Sequence, residues 1–409
     1  MRSVAEQNKI MDDILYDRLK LAGEVMKECD VEAWLCLSRE YNEDPLFHAL
    51  TPSHFPTARR ITILLLTQKD GECKNYCVNM HDADLEKYYI QDFDMKNETQ
   101  MEALTRVLNK VNPKNIAINV SDHFAYTDGL SAGLYKMMMK ELPKELTDRF
   151  ISSDEIGIRF LETRTPKELE LFPEVMDEAM TIINNTFSDE RIIPGVTTCR
   201  DLMDYMEQEV RDRGIIYWFE PTIDLQRHDG MHGEETVIER GDLLHCDFGI
   251  TYMNLCTDTQ RLCYVLKEGE TDAPAELKEA LKRNNRFQDI VRENMVIGRS
   301  GNDTFEMSIA KGKEEGLRPI LYTHPLGFHG HAAGPTIGLF SNQSRIPVKG
   351  DLELHNNTGY ALELSIVEYL DMYKRDTYIF TEESVVLIDN KVHFLADGRE
   401  NLYVVGKGE

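Results

Sequence analysis

The sequence predicts an α+β protein of two domains, a smaller α/β unit over residues 1–160 and a larger unit over residues 161–409. Three observations lead there. At 409 residues the chain exceeds what one ordinary hydrophobic core accommodates. Stretches of helical period and stretches of strand composition both recur along it. Between the two units, "SSDEIGIRFLETRTPKELE" carries a Thr165-Pro166 step ahead of a charged apolar-periodic run, which reads as a fresh helix start after a break.

In chain order, "ILYDRLKLAGEVMKECD" has a helical period and leads into an apolar strand, "AWLCLS". "ITILLLTQKDGECKNYCVNM" reads as two strands around an Asp-Gly turn at 70–71, because that dipeptide accepts the left-handed backbone a tight hairpin needs. "MEALTRVLNKV" is helical in period and "NIAINV" is a strand candidate. From Thr165 a long helix runs to about 190. "IPGVTTCRDLMDYMEQEVRDRG" then supplies a Pro-Gly turn, a capping threonine and a second helix ended by Gly214. Strands dominate 216–265, a helix-rich stretch fills about 276–316, and further strands reach about 395. No short-period repeat and no low-complexity tract interrupts this order.

Composition narrows the function classes. Hydrophobic residues at 42% and charged residues at 29% describe a soluble globular chain rather than a disordered one. The longest strongly apolar run, "ITILLL", is far short of the ~20 residues a membrane span needs. Acids occupy the N-terminal stretch where an export signal would be apolar. The eight cysteines include no CxxC pair and read as reduced, packed residues of a cytoplasmic protein. A net charge of −26 argues against nucleic-acid or anionic-membrane partners and is compatible with cations. Most of these acids are expected simply to keep the surface solvated.

"HPLGFHGHAAGP" places three of the twelve histidines, His324, His329 and His331, within eight positions. The carboxylates that answer them lie elsewhere. "GDLLHCDFGITYMNLCTDTQRLCYV" has strand composition on both sides of a turn. With the turn centred between Tyr252 and Met253, Asp247 and Asp258 are expected directly opposite each other on adjacent strands, Cβ atoms about 4.5–5.5 Å apart. Facing carboxylates repel unless a cation or a proton lies between them. Glu363 in "GYALELSIV" and Glu382 in "YIFTEESVVLI" are flanked by apolar residues, a costly setting for an unpartnered charge. Taken singly, each acid has a bland reading as an edge or turn residue, and Glu382-Glu383 as an exposed pair. Together, four carboxylates and an imidazole suit two divalent cations, whose four positive charges balance the four negative ones. Oxygen-rich ligation favours manganese-like, hard to borderline ions over a thiolate zinc site. Two such ions ~3.5–4 Å apart would lower the pKa of a shared water and polarise a carbonyl.

These residues resemble the pita-bread metallopeptidase superfamily, which includes Xaa-Pro aminopeptidases, prolidases, methionine aminopeptidases and creatinase. The match lies in "GDLLHCDFG", in Asp258 eleven residues after Asp247, in Arg261 of the Asp-x-x-Arg pattern, and in His324, Gly327 and His331 of "HPLGFHGH". "TRTPKELELFPEVMDEA" resembles the family's entry helix and "IIPGVTTCRDL" its Pro-Gly-Val-Thr turn. The resemblance implies a C-terminal pita-bread domain preceded by a smaller creatinase-like α/β domain that limits access to short peptides. It implies two divalent ions, manganese, cobalt or zinc, on Asp247, Asp258, His324, Glu363 and Glu382. It gives His331 a catalytic, substrate-facing role, Glu363 the proton of the bridging water, and His232 (or His228) the place of the family's upstream histidine. His329 is left as a supporting or packing residue. A competing register takes "GHAAG", with His331 as the ligand.

The implied activity is hydrolysis of short peptides, as an Xaa-Pro aminopeptidase or dipeptidase, by a homodimer. Two departures bear on it: no histidine lies four residues before His324, and Glu363 is followed by Leu364 rather than proline. The wording of "HPLGFHGHAAG" is nearer creatinase-like members, so metal-independent hydrolysis of a small C–N (amide) substrate is the alternative, and a non-catalytic binding module on the same fold is a third.

Overall fold

The computed structural model describes residues 1–407. It divides into two units, Arg2–Leu161 and Glu162–Glu409, the latter grouped with Met1.

The N-terminal unit is built on a six-stranded mixed sheet in the order Ile90–Gln91, Glu72–Val78, Ile61–Lys69, Ala33–Arg39, Ile116–Ile118, Phe150–Ser152. The Asp-Gly hairpin forms as read. Lys69 pairs with Glu72, and Asp70 and Gly71 take left-handed φ of 53° and 79°. The first helix, Val4–Glu28, starts ten residues before the periodic stretch because Ser3 and Glu6 close a capping box around its polar first turns. Helices over 132–141 and 154–162 were not legible in the apolar pattern. The core sits between the sheet (Leu35, Leu37, Ile63, Leu65) and helix Gln100–Val111 (Leu104, Leu108).

The C-terminal unit centres on a ten-stranded sheet. Eight strands run in the order Ile337–Gly338, Pro319–Leu326, Thr358–Leu370, Arg375–Ile388, Thr259–Val265, Leu243–Phe248, Thr222–Arg227, Gly230–His232; off this path Lys391–Phe394 pairs with Arg375–Ile388 and Tyr403–Val405 with Thr259–Val265. Helix Pro166–Thr186 begins with Thr165 as its cap and Glu168 completing a capping box, and helix Cys199–Asp212 does the same with Thr198 and Asp201. Gly214, at φ 67°, lies just past the second. Helices Ala275–Asn294 and Gly301–Glu314 pack on the same sheet through Phe287, Ile290 and Phe305. Alternation along the strands separates two faces. Thr259, Cys246 and Thr381 point to the helices, where they meet Met176, Met206, and Asn284 with Gln288. The residues between them point to the other face, and that face carries the acids.

All eight cysteines are free thiols. Among the described residues no helix is long and apolar enough to cross a membrane.

Candidate active site

Five neighbouring strands each place one or two polar side chains on the face that Thr259, Cys246 and Thr381 turn away from. The 243–248 strand gives His245 and Asp247, and the 259–265 strand gives Gln260, with Asp258 just before it. The 375–388 strand gives Glu382, the 358–370 strand Glu363, and the 319–326 strand His324.

The register corrects one expectation. Asp247 lies opposite Gln260, not Asp258. The hairpin turns one residue later than read, at Met253 and Asn254, both left-handed (φ 49° and 61°), a conformation that asparagine accepts readily. Moving a turn centre by one residue moves every partner by two, so side-chain parity is preserved. Asp258 therefore stays on the face of Asp247, as its diagonal neighbour. The ladder ends at this point, and Ser384 holds Asp258 in place: its hydroxyl accepts from the Asp258 N–H (3.0 Å) and donates to the Asp258 carbonyl (2.8 Å).

Glu363 and Glu382 are directly opposed, and Gln260 is opposite Glu382 on its other side. Like charges directly opposed destabilise a sheet unless something neutralises them. Asp258, His324 and Glu382 present ligand atoms that all lie within 4.8 Å of one another, and all three are buried. His324 supplies the sharpest observation. Its Nδ1 is 3.0 Å from the Pro325 carbonyl, which can only accept, so Nδ1 carries the proton. Nε2 then presents a bare lone pair 3.3 Å from Asp258 Oδ2 and 3.8 Å from Glu382 Oε1. Burial, with His331 nearby, holds His324 down to about 3, so the ring is neutral at ordinary pH. A lone pair facing carboxylate oxygens is repulsive unless a cation or a proton lies between them. Asp247 Oδ1, Asp258 Oδ1 and both oxygens of Glu382 are likewise buried without a hydrogen-bond partner. The donor set therefore fits a hard or borderline divalent ion.

The same crowding appears in the acidities. Burial, reinforced by Asp224, pushes Asp247 up to about 6, against the opposing pull of His245. Burial and then Asp247 push Glu363 up to about 8. Asp258 is raised well above the carboxylate range by burial and then by Asp247 and Glu363, and Glu382 by burial and then by Asp258, Glu363 and Asp247. Without cations these groups keep protons that a metal would displace.

Glu382 and Glu383, readable as one exposed pair, are both buried and divide between the two faces. Glu383 is gripped on the helix side by Arg261 through two bonds, 2.7 and 2.9 Å, while the same guanidinium reaches the Glu382 carbonyl at 3.1 Å. Arg261 thus braces the strand that presents Glu382.

His331 lies at the exposed rim. Its ring stands 4.6 Å from His324 and 5.1 Å from Trp218, both edge-on. Trp218 donates from Nε1 to the Thr257 carbonyl at 2.8 Å. It fits only because Gly249 and Gly330 lack side chains, since a Cβ there would sit 2.3 and 2.1 Å from its ring. Burial, with Lys349, lowers the His331 pKa. His329 packs beside Phe328 at 5.2 Å, and its carbonyl accepts from Gly327 N–H.

His232 does not join this group. It pairs with Leu225, which pairs with Leu244, so register puts all three on the face opposite Asp247, and its ring contacts Asp229 at 2.7 Å. Motif spacing located a histidine but not the strand parity that turns it away.

Three residues that sequence reasoning missed complete the site: Asp224, His245 and Gln260. His245 meets Asp224 Oδ2 through Nδ1 at 3.1 Å and Gln260 Oε1 through Nε2 at 3.0 Å, and Gln260 Nε2 donates to Glu363 Oε1 at 3.1 Å. Burial lowers the His245 pKa, but the bond and charge of Asp224, with the charge of Asp247 and the bond to Gln260, together hold it above its ordinary value. His245 was findable, standing two residues before Asp247 in a strand and hence on its face. Asp224 was not, because its strand carries no motif.

The profile of metallopeptidase family M24 matches residues 173–393, more than half of the chain and all of the acidic cluster. No curated protein matches. Among solved structures, this chain is similar to an X-Pro aminopeptidase from Thermotoga maritima MSB8, with 20% identity and a TM-score of 0.67 over 93% of this chain and 100% of that one. It is also similar to an Xaa-Pro dipeptidase from Bacillus anthracis, at 15% identity and a TM-score of 0.65 over 95% and 99%. The N-terminal domain of the FACT complex subunit SPT16 from chickpea, Cicer arietinum, superposes with a TM-score of 0.64 at 12% identity, over 96% and 99%. At such identities the likeness establishes the pita-bread fold with its N-terminal companion. Activity has to be argued from the site.

Proposed function

The chain belongs to metallopeptidase family M24, and on that premise we propose that it holds two divalent cations on Asp247, Asp258, His324, Glu363 and Glu382 and cleaves short peptides of the Xaa-Pro type. The observation that carries this reading is the bare Nε2 of His324, 3.3 Å from Asp258 Oδ2 and 3.8 Å from Glu382 Oε1, the latter buried without a partner. Manganese, cobalt and zinc are the candidate ions, and the oxygen-rich donor set favours manganese. Bound there, such ions would supply a water of lowered pKa and a polarised substrate carbonyl.

The chain's own residues do the rest. Glu363, only half-buried and next to the cluster, accepts a proton from the attacking water and passes it to the leaving amine. His331, neutral at the rim, donates an N–H to the oxygen on which charge develops, and Trp218 keeps its ring from turning away. Arg261 and Ser384 fix the backbone that presents Glu382 and Asp258.

A cytoplasmic homodimer acting on short peptides belongs to the same reading. Its free thiols fit a reducing compartment, and its net charge of −26 does not suit nucleic acid or anionic membranes.

Chelated protein reconstituted with manganese, cobalt or zinc is expected to hydrolyse Xaa-Pro dipeptides and tripeptides and to bind about two ions per chain. Asp258→Ala should lose both properties. Metal binding without hydrolysis of any Xaa-Pro peptide would overturn the specificity, and binding of no ion would overturn the metalloenzyme.

A further inference from the structure

A polar chain crosses the sheet on the site face, at right angles to the strands. Asp224, His245, Gln260 and Glu363 come from four different strands, and each touches the next at 3.0–3.1 Å. Register explains how. Asp224 is directly opposite His245, while Gln260 is opposite both Asp247 and Glu382 and so stands in the middle of the acidic cluster. Of these four side chains Gln260 is the one that cannot ionise, and it is 3% exposed.

The chemistry of an amide in this place is directional. Its Oε1 can only accept and its Nε2 can only donate. Gln260 Nε2 donates to Glu363 Oε1, while its Oε1 meets His245 Nε2 at 3.0 Å. Both ends of the amide are therefore engaged, and Asp224 holds His245 in turn through Nδ1. Phe380 packs against the imidazole at 4.9 Å between ring centroids and closes off the alternative ring positions.

We propose that Gln260 is a positioning residue for Glu363. Its N–H occupies Oε1 and leaves Oε2 as the single oxygen that faces the cation site and takes the proton, with Asp224 and His245 as the backing that keeps the amide aimed. A half-buried glutamate has three rotatable bonds and would otherwise offer either oxygen in several rotamers. A neutral donor fixes one oxygen without adding a positive charge that would compete with the metal. This rests on the peptidase reading for the proton transfer, but not for the metal-binding part.

Gln260→Met keeps length and volume and removes the donor. Manganese titration of the chelated full-length variant, followed by calorimetry, is expected to show affinity weakened by about 10–100-fold, with thermal unfolding still cooperative. In reconstituted protein, kcat for an Xaa-Pro dipeptide should fall by a similar factor while KM changes less than threefold, ~0.6 kcal/mol at most. Asp224→Asn, which leaves the Gln260–Glu363 contact itself in place, should weaken both readouts in the same direction by less. The double variant Asp224→Asn/Gln260→Met should be no worse than Gln260→Met alone, because the relay is already cut. Gln260→Met with parental manganese affinity, or additive effects of the two changes, would overturn the proposal. If the parent cleaves no Xaa-Pro peptide but the titrations follow this pattern, the positioning role stands and the substrate assignment fails.

Discussion

Removing the charge of Glu363 is expected to stabilise the metal-free protein at alkaline pH and to make it indifferent to manganese. In the metal-free fold Glu363 is raised from 4.5 to about 8, chiefly by burial and then by the charge of Asp247. Asp247 is raised from 3.8 to about 6, again chiefly by burial. A carboxyl whose pKa is higher folded than unfolded binds more protons in the folded state across the interval between the two values. Stability therefore falls as pH rises through that interval, and the loss is complete above the folded pKa. At 1.36 kcal/mol per pKa unit the two rises correspond to about 5 and about 3 kcal/mol. Each contains the repulsion of the other group, so they overlap, and the loss between pH 5 and pH 8.5 is on the order of 3–5 kcal/mol. In a unit of this size that lowers Tm by about 10 °C.

Glu363→Gln keeps the shape and the bond from Gln260 but has no proton to lose. Thermal unfolding of chelated parent and variant across this pH range should show the parent falling more steeply, with the curves converging near pH 5. Manganese at pH 8.5 should restore the parent's Tm and do much less for the variant. Parallel Tm–pH curves, or equal stabilisation by manganese, would refute the account of the site as a set of acids that keep their protons until a cation displaces them.

Two other substitutions separate structural from catalytic roles. Arg261→Met leaves Glu383 buried without its cation, and chemical denaturation should show a loss of about 3–5 kcal/mol; an unchanged midpoint would mean that the pair contributes nothing. His331→Asn should lower kcat for an Xaa-Pro dipeptide by about 10²-fold or more while metal content stays at the parental level. Loss of bound metal in that variant would instead favour the register in which His331 is the ligand.

Legible in the sequence alone were the α+β class, the Asp70-Gly71 hairpin, the capped starts at Thr165 and Thr198, and the presence of costly acids and a histidine cluster. These are local properties: turn chemistry, caps and apolar period act over a few residues, and a costly charge among apolar neighbours is visible wherever it stands. Only the tertiary structure decided which of these residues meet. Strand pairing set Glu363 against Glu382, sent Glu383 to the other face to find Arg261, and turned His232 away from Asp247. It also inserted Gln260 between the acids and tied it to Asp224 through His245. The physical reason is the two-residue period of a strand. Parity along one strand can be read from its residues, but the offset between strands depends on where a turn closes, and turn placement at Met253 and Asn254 moved every cross-strand partner by two.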